Sequence, residues 1–356
     1  MRSSYKKLGE YIRQVDERNK ELAIDNLLGV SITKQFIPSI ANIVGTDLSN
    51  YKIVRTGQFA YGPVTSRNGE KISVALLTGD DCIISSSYSV FEVINNKELC
   101  PEYLMLWFNR PEFDRYARYR SHGSVREIFD WEEMCSVELP MPTYSEQLRV
   151  VDAYKAIERR IELKKKINDN LDVTTQTIYH QMFEANPDRN NWTSGTVGDA
   201  IQLQRGHDLP RSDMNGGDYP VAGSTGTIGY HDQYTTPAPA IVMGRSGNIG
   251  NPRLYLCNCW AHNTSLYVKD YGESNPFWAF FMLKNLNYEG FKGGSAVPTL
   301  NRNDIHSVNI TIPPEEIQID FANRVSLLIT LKEQNLNEIS ALEELSSTIL
   351  ATISSR

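Results

Sequence analysis

Between Pro142 and Phe183 the chain reads PTYSEQLRVVDAYKAIERRIELKKKINDNLDVTTQTIYHQMF, with no Gly or Pro after its first residue. Val150, Tyr154, Ile157, Ile161, Leu171 and Ile178 recur at spacings of three, four and multiples of seven. That periodicity predicts an amphipathic helix with a coiled-coil-like seam. At 1.5 Å per residue it would run about 60 Å, longer than a globular helix needs. Pro140, Pro142 and Ser145 mark its start.

The same stretch occurs a second time. An offset of 171 carries Pro142 to Pro313, Gln147 to Gln318, Val150 to Phe321, Tyr154 to Val325, Ile157 to Leu328, Leu171 to Leu342 and Ile178 to Ile349. Upstream, it carries Ser124 to Ser295, Phe129 to Leu300 and Met134 to Ile305. A constant offset over that length is an internal duplication. Four segments follow: a globular unit at 1–141, a long helix at 142–186, a second globular unit at 187–312 and a second long helix at 313–356.

Both seams turn polar in the middle. The first passes through Lys164, Asn168 and Thr175 and the second through Lys332, Asn335 and Ser346, while Ile339 keeps an apolar step between them. Polar seam positions cost stability but fix register. The two helices are therefore expected to pair antiparallel, giving a pseudo-two-fold α+β molecule. The alternative is that each helix only covers its own globular unit.

The globular units read as short alternating strands broken by Gly, Asn and Asp turns, each with one apolar helix opened by proline. PEYLMLWF from Pro101 and PFWAFFML from Pro276 are those helices, and LYLCNCWAHNTSLYV has a hairpin-like alternation. Lys6-Lys7-Leu8-Gly9-Glu10 and Thr196-Val197-Gly198-Asp199-Ala200 open the two units alike. The middle portions diverge most.

Composition narrows the partners. The net charge is −7, but 1–141 holds 17 basic against 19 acidic side chains and 187–312 holds 9 against 10. Near-neutral units leave room for a local basic face, since the acid gathers on the last helix. Five scattered cysteines without a CxxC pair suggest a reduced, cytoplasmic protein. No apolar run reaches the roughly 18 residues of a membrane span.

Enzyme signatures fail on inspection. GSTGTIG and GRSGNIG fit neither a dinucleotide fingerprint nor a phosphate-binding loop. Asn275-Pro276-Phe277-Trp278 lacks the second proline of an amino-methyltransferase tetrapeptide, and Pro276 more simply starts a helix. Asp152 with Glu162 and Lys164 has nuclease letters on a single helix, where a strand-borne metal site cannot form. His122, His180, His207, His231, His262 and His306 are isolated in sequence and read as packing or hydrogen-bonding residues. The chain reads as a recogniser with no catalytic residue, metal or cofactor of its own.

Two variable α+β units, each followed by a long helix opened by PMPTYSEQLRVV or IPPEEIQIDF, resemble the specificity subunit of Type I restriction–modification enzymes. DYPVAGSTGTIGYHD, IVMGRSGNIG and GGSAVPTLNRNDI are similar to that family's target-recognition domains, and GQFAYGPVTSRNGEKISVALL resembles a corresponding loop of another recognition type. One departure is Ile317 where the first helix has Glu146. The resemblance implies a non-catalytic reader of double-stranded DNA whose two units read the halves of an asymmetric bipartite target. Its helices would act as ruler and docking surface for two modification subunits, and restriction subunits would complete the complex. S-adenosylmethionine, ATP and magnesium would reside on those partners.

Polar side chains on Gly-rich loops can reach base edges, while Arg and Lys hold phosphates. The candidates in the first unit are Tyr61, Ser66, Arg67, Asn68 and Lys71, then the cationic run Arg115, Arg118, Arg120 and Arg126. That run could instead be the outer face of a helix. In the second unit they are Gln204, Arg205, His207, Arg211, Ser224, Thr225, Tyr230, Arg245, Asn248 and Lys292. A competing reading is a protein–protein scaffold with duplicated binding domains and no DNA readout.

Overall fold

The structure, a computed structural model, describes residues 5–39, 45–66, 68–123, 127–291 and 299–353. In chain order its helices are α1 (Pro101–Phe108), α2 (Pro111–Arg120), α3 (Trp131–Ser136), α4 (Tyr144–Tyr179), α5 (Val197–Ala200), α6 (Pro276–Lys284), α7 (Arg302–His306) and α8 (Glu315–Thr352). Two compact units emerge, Met1–Leu163 with Ile339–Arg356 and Lys164–Glu338. Each therefore owns part of both long helices, α4 and α8.

Within the first unit an antiparallel four-stranded sheet runs in the order Ile12–Val15, Ser89–Val93, Phe59–Tyr61, Val74–Leu76. Within the second the order is Gln202–Arg205, Ser265–Asp270, Ala240–Gly244, Gly250–Tyr255. The two sheets share one topology: first strand beside last, and the two middle strands paired as a hairpin on its other side. In each, the proline-opened helix follows the last strand, α1 after Val93 and α6 after Asp270. The duplication thus extends through the portions whose sequences diverge most.

A short ladder closes each unit. Tyr5–Lys7 pairs antiparallel with Glu138–Pro140, and Thr193–Thr196 with Asn309–Ile312. Just inside the ladders, the Leu8 amide donates to Val137 O and the Val197 amide to Val308 O. A Cβ on Gly9 would meet Cys135 at 2.8 Å, and one on Gly198 would meet His306 at 3.1 Å. Both glycines are kept small by the same packing.

The sequence LYLCNCWAHNTSLYV does not form a hairpin. Trp260–Ala261 pairs parallel with Tyr219–Gly223 in a separate three-stranded sheet, while Ser265–Asp270 joins the four-stranded one. The turn at 262–264 therefore passes the chain from one sheet to the other, a step that alternation alone cannot reveal.

The core of the first unit stacks Phe59 on Phe91 at 4.8 Å and takes in Val151 of α4 and Ile353 beyond α8. In the second, Tyr179, Phe183, Phe281 and Phe321 form one aromatic knot, with Phe183 and Phe321 at 5.0 Å. Truncating such a buried phenylalanine to alanine costs roughly 3–5 kcal/mol. The helices are thus seated on both cores, and within each unit they also run antiparallel against each other.

In the first unit Ser346 Oγ donates to Glu158 Oε1 at 3.0 Å. In the second, Lys164 faces Glu338 at 2.7 Å, Asn335 donates to Asn168 at 2.9 Å and Lys332 donates to Asp172 at 2.6 Å. Partners fall in one helix as they rise in the other. Of the expected seam, Ile161, Phe321, Val325 and Ile339 are buried, and Val150, Tyr154, Ile157, Leu171, Ile178, Leu328, Leu342 and Ile349 are half-buried.

The cap of α4 is Thr143, not Ser145. Thr143 N–H and Oγ1–H donate to Glu146 Oε2 at 2.9 and 2.7 Å, and the Glu146 amide points back at Thr143 Oγ1. That is a capping box, and α8 cannot form it because Ile317 replaces the carboxylate.

Candidate nucleic-acid interface

The connection between the two middle sheet strands carries candidates in both units. In the first it spans 62–73 and holds Ser66 and Lys71 exposed and Asn68 half-buried. It is tied down by the Thr65 amide donating to Glu127 O at 2.9 Å and by Thr65 Oγ1 donating to Ser121 Oγ at 2.9 Å. Arg67, Arg126 and Lys292 lie outside the described residues.

Tyr61 is not on this loop. It ends a strand, is fully buried against Phe91 and Phe129, and burial pushes its phenol pKa up. Strand alternation aims it inward, so it offers no face to a ligand.

The cationic run is the helix α2, and its charges are answered. Arg115 pairs with Glu112 at 3.1 Å, Arg118 with Glu127, and Arg120 with Glu133 at 2.6 Å. Arg115 and Arg118 stay exposed and Arg120 half-buried. Exposed pairs of this kind are worth about 0–1 kcal/mol, so a phosphate can displace the carboxylate.

In the second unit the equivalent connection, 245–249, is built into a frame centred on Thr264. Thr264 O accepts from the amides of Arg245 at 3.0 Å and Ser246 at 3.2 Å, while its Oγ1 receives the Ser224 amide at 3.4 Å. Asn248 Nδ2 donates to Ser224 O at 3.4 Å, and Arg245 Nη1 to Asn263 O at 3.4 Å. Asn263 Nδ2 donates to Asp208, bringing in the loop after Arg205. Beneath it, His262 Nε2 contacts Leu209 O at 3.2 Å and Nδ1 contacts Thr264 Oγ1 at 2.9 Å. Gly244 makes the tight approach possible, because a Cβ there would meet Asn248 O at 1.7 Å.

Four chain segments thus present one polar rim with Arg205, Ser224, Arg245 and Asn248 on it, and Thr225 exposed beside Ser224. Its charge is mixed, with Arg205 3.9 Å from Asp208. Such a rim can donate and accept hydrogen bonds at base edges. His207 is half-buried, its ring 6.2 Å from Trp260 and 5.9 Å from Tyr267, and Gln204 is half-buried within its strand. Arg211 and Tyr230 are exposed on the three-stranded sheet and the turn before it.

His262 has the hydrogen-bonding role expected of it, whereas Asp208, Asn263 and Thr264 were not singled out in the sequence. The only signal for the last two is HNT at the end of an apolar run, which reads as an ordinary turn. Among the described residues no cluster of His, Cys, Asp or Glu could hold a metal ion, and no helix is long and apolar enough to cross a membrane.

Residues 189–341 match the family model of the Type I restriction modification DNA specificity domain. The HindI specificity subunit of Haemophilus influenzae is 24% identical over 185 residues, 49% of this chain and 39% of that protein. The EcoprrI specificity subunit of Escherichia coli is 22% identical over 210 residues, 57% of this chain and 52% of that one. The chain spans about half or less of the length of these relatives. The crystal structure of a Type I restriction–modification S subunit from M. genitalium superposes with a TM-score of 0.69 at 14% identity, covering 99% of this chain and 96% of that one. That likeness carries the fold: two α+β units with long helices.

Proposed function

We propose that the chain, whose residues 189–341 match the Type I restriction modification DNA specificity domain, is a specificity subunit of that kind and reads double-stranded DNA at an asymmetric bipartite target. Each unit reads one half-site through the connection between its middle strands. The observation that carries this reading is a constant scaffold under changed loops. The sheets share one strand order, yet one unit presents 62–73 braced on Glu127 and Ser121 while the other presents 245–249 braced on Thr264. Readers built this way recognise different sequences, so the target is asymmetric.

The helices α4 and α8 set the separation of the half-sites and dock two modification subunits, and restriction subunits join that complex. S-adenosylmethionine for adenine methylation, ATP and magnesium are held by those partners, and this chain contributes recognition alone. Arg245 and Asn248 meet base edges, and Arg205 with the α2 arginines meets phosphates.

The test is co-expression with the modification subunits of the same system, followed by sequencing of plasmid DNA for methylated adenines. One split motif is expected, and exchanging residues 193–312 for those of a relative should change one half alone. A partner complex that forms but leaves no motif methylated would make the chain a protein scaffold and remove the DNA role.

A further inference from the structure

Beside the Thr264 frame, the second unit carries an open polar cleft of about 380 Å³ that none of the contacts above uses. Its walls are the far ends of the first and last sheet strands and the helix α7. Lys269 and Arg302 supply its charge, and among the described residues neither makes an ion pair. Gln204 and Asn303 add amide donors. The carboxylate on the wall, Asp270, accepts the Gly272 amide at 2.9 Å and closes the turn after the strand.

The cleft is held by fixed elements. His306 Nε2 accepts the Leu203 amide at 2.9 Å, tying α7 to the edge strand, and Asn301 caps α7 by accepting the Asn303 amide at 3.0 Å. The scaffold does not require these cations. The helix α3 of the first unit packs in the same way, with Cys135 on Gly9 where α7 sets His306 on Gly198. Yet Trp131 and Glu132 occupy the places of Arg302 and Asn303. The cationic wall is a property of the second unit alone.

The position completes the picture. Arg205 follows Gln204 and leads into the loop that carries Asp208, and Ser265 follows Thr264. At about 3.3 Å per strand residue, cleft and rim lie some 13 Å apart along the strand. That distance spans only a few phosphates of one DNA strand, spaced about 3.4 Å along the axis. We infer that this cleft seats the sugar–phosphate backbone of the duplex whose bases face the Thr264 rim. Lys269 and Arg302 each neutralise one phosphate, and Gln204 and Asn303 donate hydrogen bonds to it.

This inference rests on the DNA reading above, and the test separates the two. The complete chain in complex with its modification subunits is titrated onto a duplex bearing its methylated motif, by fluorescence anisotropy over a series of KCl concentrations. Lys269→Gln with Arg302→Gln should flatten the slope of log K against log[salt] by about 1.8, at roughly 0.9 per phosphate, with the motif unchanged. The charge-preserving pair Lys269→Arg with Arg302→Lys should keep the slope, as should Lys284→Gln on another face. If the double variant does not fold, Lys269→Gln alone should flatten the slope by about 0.9. A wild-type slope in a folded neutral variant overturns the cleft assignment. A wild-type complex that binds duplex with no salt dependence overturns the DNA reading itself.

Discussion

Gln147 Oε1 accepts the backbone amide of Cys100 at 2.8 Å, and Gln318 Oε1 accepts that of Asn275 at the same distance. Both side chains are buried on the first turn of a long helix, and both donors stand one residue before a proline-opened helix. The amide nitrogens complete the joint, Gln147 Nε2 to Glu98 O and Pro142 O, and Gln318 Nε2 to Pro313 O. Replacing either glutamine by leucine strands a backbone amide, buried at Cys100 and half-buried at Asn275, and at least one carbonyl. The expected loss is roughly 1–3 kcal/mol per variant, read from urea denaturation of the intact chain. Equal stability in Gln147→Leu and wild type would refute this role.

The polar centre of the helix pair makes an opposite prediction. Asn335 receives Lys164 Nζ at 2.7 Å and donates to Asn168, whose own Nδ2 is buried without a partner among the described residues. A buried, partly satisfied network specifies register at the expense of stability. Asn335→Leu alone should lower the melting temperature, because Asn168 is left unpaired. Asn168→Leu with Asn335→Leu should raise it above wild type while allowing alternative registers, visible as several cross-linked species when cysteines are placed along the two helices.

Stability of the second unit should depend on pH through His306. Burial first, and the nearby Arg302 charge second, hold its imidazole below the ordinary value of 6.5. The unfolded chain therefore takes up this proton before the folded one does. Its contribution is fully present above about pH 6.5 and is lost as the pH falls from there through the folded pKa. Thermal melts from pH 7.5 to 5 should show a decline that His306→Gln flattens, since glutamine can still accept the Leu203 amide without titrating. An equal decline in the variant would assign the effect elsewhere.

Gly244→Ala should dismantle the reading rim and spare the fold. The added methyl cannot coexist with Asn248 O, so 245–248 must leave Thr264. Methylation of the motif half read by this unit should fall at least tenfold in the co-expression assay, with the melting temperature within a few degrees of wild type. Unchanged methylation would place the readout away from this loop.

What could be read in advance followed the range of each interaction along the chain. The helices were legible because a seam repeats every heptad, and each seam position proved buried or half-buried. The proline-opened helices were legible too, since Asn275 and Pro276 act within one turn. The rim was not, because Thr264 gathers Ser224, forty positions away, through its hydroxyl and Arg245, nineteen away, through its carbonyl, and the groups they bring to it are backbone amides that carry no residue code. The ion pairs of the arginine run were hidden for the same reason. Glu127 and Glu133 meet it only after the chain turns back. Tyr61 was misplaced because FAYG looks like the lip of a loop, whereas its phenol is the last inward side chain of a strand.

The ladders that close each unit bear on how new specificities arise. Where Thr196 sits opposite Asn309 and Lys7 opposite Glu138, the first and last residues of the intervening fold are separated by one interstrand spacing, about 4.8 Å. A segment inserted between such posts closes the same short gap whatever its length or sequence, and lengthening it adds only logarithmically to the entropy of closure. If the chain reads DNA as proposed, genetic recombination at those two points would deliver a foreign reading head between the same posts, so a population could change the address it recognises in a single crossover pair without altering the long helices.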